Sequence, residues 1–142
     1  MRILILDDNQ DAFALTDNLL KDCIQGAITF YANEEIALYK LLEHLSKRGE
    51  LLPDLILIEL HMPGFDAWEM LKELQRKSET RVIPIAFFTR LKSAKSHLFA
   101  SRLNTPLFYK GKRFIDQAYA IHKLKKWFDN LAPTDNSYQS IF

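Results

Sequence analysis

The sequence predicts a doubly wound α/β domain, in which helices cover both faces of a five-stranded parallel sheet. Short, fully apolar runs such as residues 3–6 and Leu55–Ile58 are typical of strands buried on both faces. Each run is followed by a segment with apolar residues at helical spacing, and this pair recurs five times along the chain. Because crossovers between parallel strands are right-handed, such units build one sheet between two layers of helices.

The first two strand–helix units occupy the first third of the chain. The first predicted strand, residues 3–6, ends at Asp7 and Asp8. The helix after it has its apolar positions at Ala12, Leu15, Leu19 and Cys23. Residues 27–31 form the second predicted strand, and the following helix stops near Gly49. The apolar stripe of that helix consists of Leu38, Leu41, Leu42 and Leu45.

Three further units follow. The third predicted strand, Leu55–Ile58, ends at Glu59, and residues 82–89 form the fourth. The third helix has its apolar positions at Ala67, Met70, Leu71 and Leu74. The fourth helix, at about residues 93–102, has a weak stripe whose clearest inward positions are Ala94 and Leu98. After the fifth strand, Leu107–Tyr109, the last helix is lined by Phe114, Ala118, Ile121, Leu124 and Phe128.

Length and composition restrict the class of protein. The chain has 142 residues, 48% of them hydrophobic, which suits one domain with a true core. We take residues 1–132 as this domain and expect the polar segment 133–142 to be a mobile tail. A net charge of +1 provides no long-range field for nucleic acid or an anionic membrane, and the early apolar run is too short for a membrane segment. The single cysteine, Cys23, suits a buried thiol in the reducing cytoplasm.

Five polar side chains follow the predicted strands at one edge of the sheet. They are Asp7 and Asp8 after the first strand, Glu59 after the third, Thr89 after the fourth and Lys110 after the fifth. Ligands of open α/β sheets bind beyond the carboxyl ends of the strands, where the strand order reverses. Carboxylates gathered there repel one another unless a hard cation or a lysine neutralises them, and their oxygens suit Mg2+. Taken alone, the acidic pair would also suit a cap of the following helix.

The order of these residues resembles the signature of the response-regulator receiver domains of two-component signalling. The resemblance is carried by Asp7, Asp8, residues 53–64 (PDLILIELHMPG), Thr89 and Lys110. It extends over about residues 1–130 and implies a flavodoxin-like (CheY-like) three-layer sandwich with strand order 2-1-3-4-5. The loop at residues 48–54 is similar to that of single-domain regulators associated with bacterial phytochromes.

The resemblance assigns a role to each residue at this edge. It implies that Glu59 stands where the family has its phosphate-accepting aspartate, because the acceptor lies three residues before Met62. It also implies that Thr89 and Lys110 contact the phosphate and that Leu107 occupies the position of an aromatic switch residue. The implied Mg2+ ligands are Asp7, Asp8, Glu59 and the backbone carbonyl of His61.

Four departures from the family pattern lie at this edge. Glu59 is one methylene longer than aspartate, which displaces its carboxylate by about 1.5 Å and disturbs the alignment that phosphoryl transfer requires. Leu107 replaces an aromatic residue. Gly111 replaces a proline that often follows a cis peptide bond, and we expect a trans bond here. Arg90 stands where a small residue is common, and we expect its cation to cover the pocket or pair with Glu59.

These departures favour an atypical stand-alone receiver domain that acts without phosphate turnover, as a pseudo-receiver or a phosphomimic. It would bind other proteins through its fourth helix, fifth strand and fifth helix. The alternative is a Mg2+-dependent regulator that still takes phosphate from a histidine kinase at Glu59. A hydrolase or dinucleotide enzyme is disfavoured, because the sequence lacks a glycine-rich phosphate turn and a Ser/His/Asp arrangement. The expected partner is a histidine kinase or another signalling protein, and the oligomeric state stays open between monomer and homodimer.

Overall fold

The computed structural model of the chain describes residues 1–131, where five strands alternate with five helices. The strands are β1 (Arg2–Leu6), β2 (Ile28–Ala32), β3 (Leu55–Ile58), β4 (Ile85–Thr89) and β5 (Leu107–Tyr109). The helices are α1 (Gln10–Cys23), α2 (Glu35–Lys47), α3 (Ala67–Arg76), α4 (Ala94–Arg102) and α5 (Phe114–Asp129). None of these helices has the length and apolar character needed to cross a membrane. The predicted tail at 133–142 lies outside the described residues.

All five strands are parallel and lie in the order β2-β1-β3-β4-β5. β1 pairs on both sides, so Leu4 lies opposite Phe30 of β2 and Ile56 of β3. The strand order reverses at β1, and the ends of β1 and β3 therefore form the edge of a crevice. The predicted three-layer, flavodoxin-like fold and its strand order 2-1-3-4-5 are confirmed.

Alternate residues of the strands build two hydrophobic cores, one on each face of the sheet. Leu4 and Leu6 pack with α2, α3 and α4, whereas Ile3 and Ile5 pack with α1 and α5. Helical residues of the first core include Leu38, Leu42, Met70, Leu71, Leu74 and Ala100, and those of the second include Leu19, Leu20, Ile121 and Leu124. Cys23 is half-buried rather than buried, because it is the last residue of α1. Since helices cover both faces, the central strands β1, β3 and β4 have polar residues only at or beyond their ends.

Strand β4 is shorter than predicted, since it begins at Ile85 and not at residue 82. The residues before it form a turn, in which the N–H of Ile83 donates to the carbonyl of Thr80 (3.1 Å). Pro84 has no N–H to offer to the neighbouring strand. The apolar run at residues 82–89 therefore contains a turn followed by a strand.

In two helices, positions that were predicted to face the core are exposed. In α4, Ala94 is exposed and Leu98 is 54% exposed, whereas Ser96 and Ala100 are buried. The inward serine is tolerated because its hydroxyl has hydrogen-bond partners. In α5, Phe114 is 62% exposed, because it is the first residue of a helix whose buried positions lie further along. The other positions of the stripe predicted for α5 belong to or pack against the second core.

Asn9 fixes the start of α1. Its side-chain oxygen accepts a hydrogen bond from the N–H of Ala12 (2.9 Å), while its own N–H donates to Asp7 Oδ1 (2.9 Å). Replacing Asn9 with alanine removes the cap and keeps the backbone bond to Asp7. We therefore expect the free energy of unfolding, measured in urea, to fall by about 1 kcal/mol. Asn18→Ala, on the exposed face of α1, is the control and should not be destabilised. If Asn9→Ala unfolded at the same urea concentration as the wild type, the capping role of Asn9 would be contradicted.

Candidate functional site

The carboxyl ends of four strands bring the predicted site residues into one pocket. Asp7, Glu59, Thr89 and Lys110 are each at most 4% exposed, whereas Asp8 is exposed. The N–H of Glu59 donates to the carbonyl of Leu6 at the end of β1 (2.9 Å), and the N–H of Lys110 donates to the carbonyl of Thr89 (2.8 Å). The parallel ladder thus continues into the pocket and sets the relative position of these side chains.

A buried ion pair joins the first and last strands. Lys110 Nζ lies 2.7 Å from Asp7 Oδ2, and the other oxygen of Asp7 accepts the N–H of Asn9 (2.9 Å). The same ammonium lies 3.9 Å from Glu59 Oε1 and 5.3 Å from the centre of the Phe88 ring. Asp7 therefore has both oxygens engaged by groups of the chain itself.

The side chain of Glu59 is fully buried, and both of its oxygens accept hydrogen bonds. Oε1 accepts from the backbone N–H of Arg90 (3.1 Å), and Oε2 accepts more weakly from that of His61 (3.4 Å). Lys110 adds a positive charge at 3.9 Å. The carboxylate is thus held between two loops and a cation.

Arg90 folds back over the pocket. Its Nη2 donates to the carbonyl of His61 (2.6 Å), and its Nη1 lies 3.6 Å from both Asp8 Oδ1 and Glu59 Oε1. The pairing with Glu59 that the sequence predicts is confirmed. The hydrogen bond to the His61 carbonyl was not predicted, because a backbone acceptor leaves no trace in a residue pattern.

Thr89 and Leu107 lie at the predicted phosphate-contacting and switch positions. Thr89 is fully buried, and its hydroxyl accepts a long hydrogen bond from the N–H of Leu91 (3.4 Å). Leu107 is half-buried, pairs in register with Phe87, and packs against the first core. Their roles toward phosphate stay predictions.

Two further side chains belong to this neighbourhood and were missed from the sequence. Burial raises the pKa of the Tyr31 phenol, and the nearby carboxylates of Asp7 and Asp8 raise it further. Tyr31 lies near the carboxyl end of β2, so the strand-end reasoning could have found it. The hydroxyl of Ser96 lies 3.2 Å from His61 Nε2 and ties the loop after β3 to α4. Ser96 carried no such signal, because it lies within a helix.

The loop after Lys110 has a backbone conformation that proline cannot adopt. The peptide bond between Lys110 and Gly111 is trans, as predicted, and Gly111 has a positive φ of 77°. Asp116 lies directly beside Gly111 and accepts hydrogen bonds from the backbone N–H and the side chain of Arg113. Arg113 also holds the pKa of the Asp116 carboxyl below its usual value, first through the side-chain hydrogen bond.

Comparison with known families decides what kind of domain this is. Residues 3–104 match the family described as "Response regulator receiver domain", which covers well over half of the chain. The chain is a response regulator receiver domain. No curated protein matches it at the sequence level.

Solved structures include close structural relatives of this receiver domain. A response regulator in red light signalling of R. palustris has a TM-score of 0.78 at 18% identity, covering 92% of this chain and 95% of the other. The phosphorylated cyanobacterial phytochrome response regulator RcpA has a TM-score of 0.76 at 16% identity, covering 92% and 95%. The Mn2+-bound form of the response regulator Rcp1 has a TM-score of 0.74 at 19% identity, covering 92% and 96%. At these identities the likeness establishes the fold, which is close to that of phytochrome-associated regulators.

Membership in the family gives the receiver domain a general role. It is a module of two-component signalling rather than a classical enzyme, and the family implies a histidine kinase as partner. Receiver domains typically bind a divalent metal ion, and one of the structural relatives holds Mn2+.

Proposed function

We propose that this receiver domain is a phosphorylation-independent protein-interaction module, with Glu59 at the position of the phosphate-accepting residue. The observation that carries the proposal is the enclosure of the Glu59 carboxylate, which is fully buried and hydrogen-bonded through both oxygens. An oxygen that attacks phosphorus needs a free line of approach. Here the guanidinium of Arg90 lies 3.6 Å from Glu59 Oε1, and the ammonium of Lys110 lies 3.9 Å from the same oxygen.

The length of the Glu59 side chain also disfavours phosphate acceptance. Glutamate displaces the carboxylate by about 1.5 Å relative to aspartate, and transfer rates fall steeply when reacting atoms are misplaced by such distances. In this pocket the extra methylene brings Oε1 to 3.1 Å from the N–H of Arg90. The carboxylate is therefore better placed to hold the pocket closed than to accept a phosphoryl group.

The same contacts give Glu59 the features of a phosphomimic. Its negative oxygen lies 3.9 Å from Lys110, the residue that the family resemblance assigns to phosphate. The effect of Glu59 on the rest of the domain cannot pass through an aromatic switch residue, because Leu107 has no aromatic ring that could change position. We accordingly place the domain in one fixed state rather than in an exchange between two.

The fixed state presents the surface of α4, β5 and α5 to a partner. Large apolar side chains on these helices are more than half exposed, namely Leu98, Phe114, Ile115 and Tyr119. Exposed apolar side chains at this surface favour it as the protein-interaction site. In this proposal the partner is a histidine kinase or another cytoplasmic signalling protein, and a second copy of the chain is the competing occupant.

The second candidate is a Mg2+-dependent regulator that still accepts phosphate at Glu59. It is favoured by one observation, the survival of the buried Asp7–Lys110 pair beside Thr89. Such a pair is costly to bury, so its presence in a domain that never meets phosphate needs a structural reason.

Labelling with radioactive acetyl phosphate separates the two candidates, because this donor needs no kinase. We expect no label on the purified wild-type domain in the presence of Mg2+, while a receiver domain with the usual aspartate, labelled in parallel, serves as the positive control. Label on the wild type that disappears in Glu59→Gln would overturn the proposal and support the second candidate. Recovery of the same partner proteins by the wild type, Glu59→Asp and Glu59→Ala would contradict phosphomimicry and leave the interaction module standing.

A further inference from the structure

The guanidinium of Arg90 lies among the oxygens that the family resemblance assigns to a divalent cation. Its Nη2 donates to the His61 carbonyl (2.6 Å), and its Nη1 lies 3.6 Å from Asp8 Oδ1 and 3.6 Å from Glu59 Oε1. These atoms belong to three of the four predicted Mg2+ ligands. We propose that Arg90 is the resident cation of this pocket and takes the place of the divalent metal ion.

The fourth predicted ligand is also engaged within the chain. Asp7 Oδ2 pairs with Lys110 at 2.7 Å, and Oδ1 accepts the N–H of Asn9 at 2.9 Å. A bound Mg2+ needs free oxygen lone pairs in a nearly octahedral arrangement. Within residues 1–131, no three His, Cys, Asp or Glu side chains are grouped so that they could hold a metal ion. The residues present therefore do not fit the ion that the family typically binds.

The charges of the pocket lead to the same conclusion. Three carboxylates, those of Asp7, Asp8 and Glu59, face the side-chain cations of Lys110 and Arg90. One negative charge remains, whereas two would remain without Arg90. A divalent ion would enter a pocket that is already largely neutralised, and it would be repelled by a guanidinium a few ångströms away.

The chemistry of arginine suits this role. A guanidinium keeps its charge at all physiological pH values and carries several N–H donors in a planar fork. Its hydrogen bond to the His61 carbonyl is short and charge-assisted. The Arg90 side chain is 43% exposed, so its pair with the exposed Asp8 contributes little. The contacts with the buried Glu59 and with the His61 carbonyl are the ones that hold it.

The inference is tested by titrating the purified domain with MnCl2 and, separately, MgCl2 in a calorimeter. We expect Arg90→Ala to bind both ions at least about tenfold more tightly than the wild type, because a unit positive charge near the ion has been removed. Bound metal should also raise the melting temperature of Arg90→Ala and leave that of the wild type unchanged. Adding Asp8→Asn to Arg90→Ala should abolish the gain in metal affinity.

Lys92→Ala is the matched control. It removes the same charge from the same loop, but its ammonium lies over the Tyr109 ring, 6.0 Å from the ring centre. It should bind metal as the wild type does. Three results would overturn the inference. The wild type and Arg90→Ala could bind the metal ions with equal affinity, Lys92→Ala could gain as much affinity as Arg90→Ala, or folded Arg90→Ala could bind no metal. If Arg90→Ala fails to fold by circular dichroism, the uncharged and longer Arg90→Gln replaces it. The titration contains no phosphodonor and measures metal binding directly, so the failure of this inference can be told apart from the failure of the proposed function.

Discussion

Replacing Lys110 with methionine is expected to lower the free energy of unfolding by about 3–5 kcal/mol. The Lys110 side chain is 5% exposed and lies 2.7 Å from an Asp7 side chain that is 1% exposed. Removal of the ammonium leaves the Asp7 carboxylate without a countercharge in a place that water does not reach. Glu59 loses a positive charge at 3.9 Å as well. Methionine fills a similar volume, so little of the loss comes from packing.

Two further variants identify the cause of that loss in urea unfolding. Lys112→Met makes the same change at an exposed position two residues away and should alter stability by no more than about 0.5 kcal/mol. The double variant Asp7→Asn, Lys110→Met removes both charges and should recover much of the loss. If Lys110→Met were as stable as Lys112→Met, the pair would have to be solvated, contrary to its burial.

Replacing Gly111 with alanine is expected to destabilise the domain by about 2–5 kcal/mol. A side chain at a φ of 77° costs about 1–2 kcal/mol, and the added Cβ would collide with Cβ of Asp116, at a further cost of about 1–3 kcal/mol. Asp116 cannot easily move, because three hydrogen bonds hold it to Arg113 at the start of α5. Gly111→Pro, which restores the residue usual in the family, should destabilise more, since proline fixes φ near −65°.

Gly26→Ala separates the two contributions to this effect. Gly26 has a φ of 75°, almost that of Gly111, but no atom of the described residues 1–131 lies within 4 Å of the position that a Cβ would take. Gly26→Ala should therefore lower the free energy of unfolding only by the cost of the backbone conformation, about 1–2 kcal/mol. Equal losses at the two glycines, measured by urea unfolding, would rule out the collision with Asp116.

The strands and the site edge were predictable because their signals lie in single residues or short runs. Leu55–Ile58 is uninterrupted and apolar, as a strand with two covered faces must be. The polar residue that follows such a run must lie at the strand end, and this places Glu59 in the pocket without knowledge of any contact. The same reasoning placed Asp7 and Lys110, which prove to be partners.

Helix faces were less predictable, because partners from elsewhere in the chain decide them. Ser96 faces inward partly because the ring of His61, which follows β3, offers its hydroxyl a partner. Leu98 is turned outward in consequence, although its side chain is the larger and more apolar. The position of the Arg90 guanidinium was only half predictable, since its acidic neighbour Glu59 could be read from the sequence but the carbonyl of His61 could not.

The ion pair between Asp7 and Lys110 also bears on the order in which the chain folds. Its two residues are 103 positions apart in the sequence. Closing so long a loop costs more entropy than any strand pairing between neighbouring units, and only the intervening strands can shorten it. We therefore expect the pair to form after most of the sheet, once β5 has joined β4. In this order, each of the two charges leaves water only when its partner is already at hand to neutralise it.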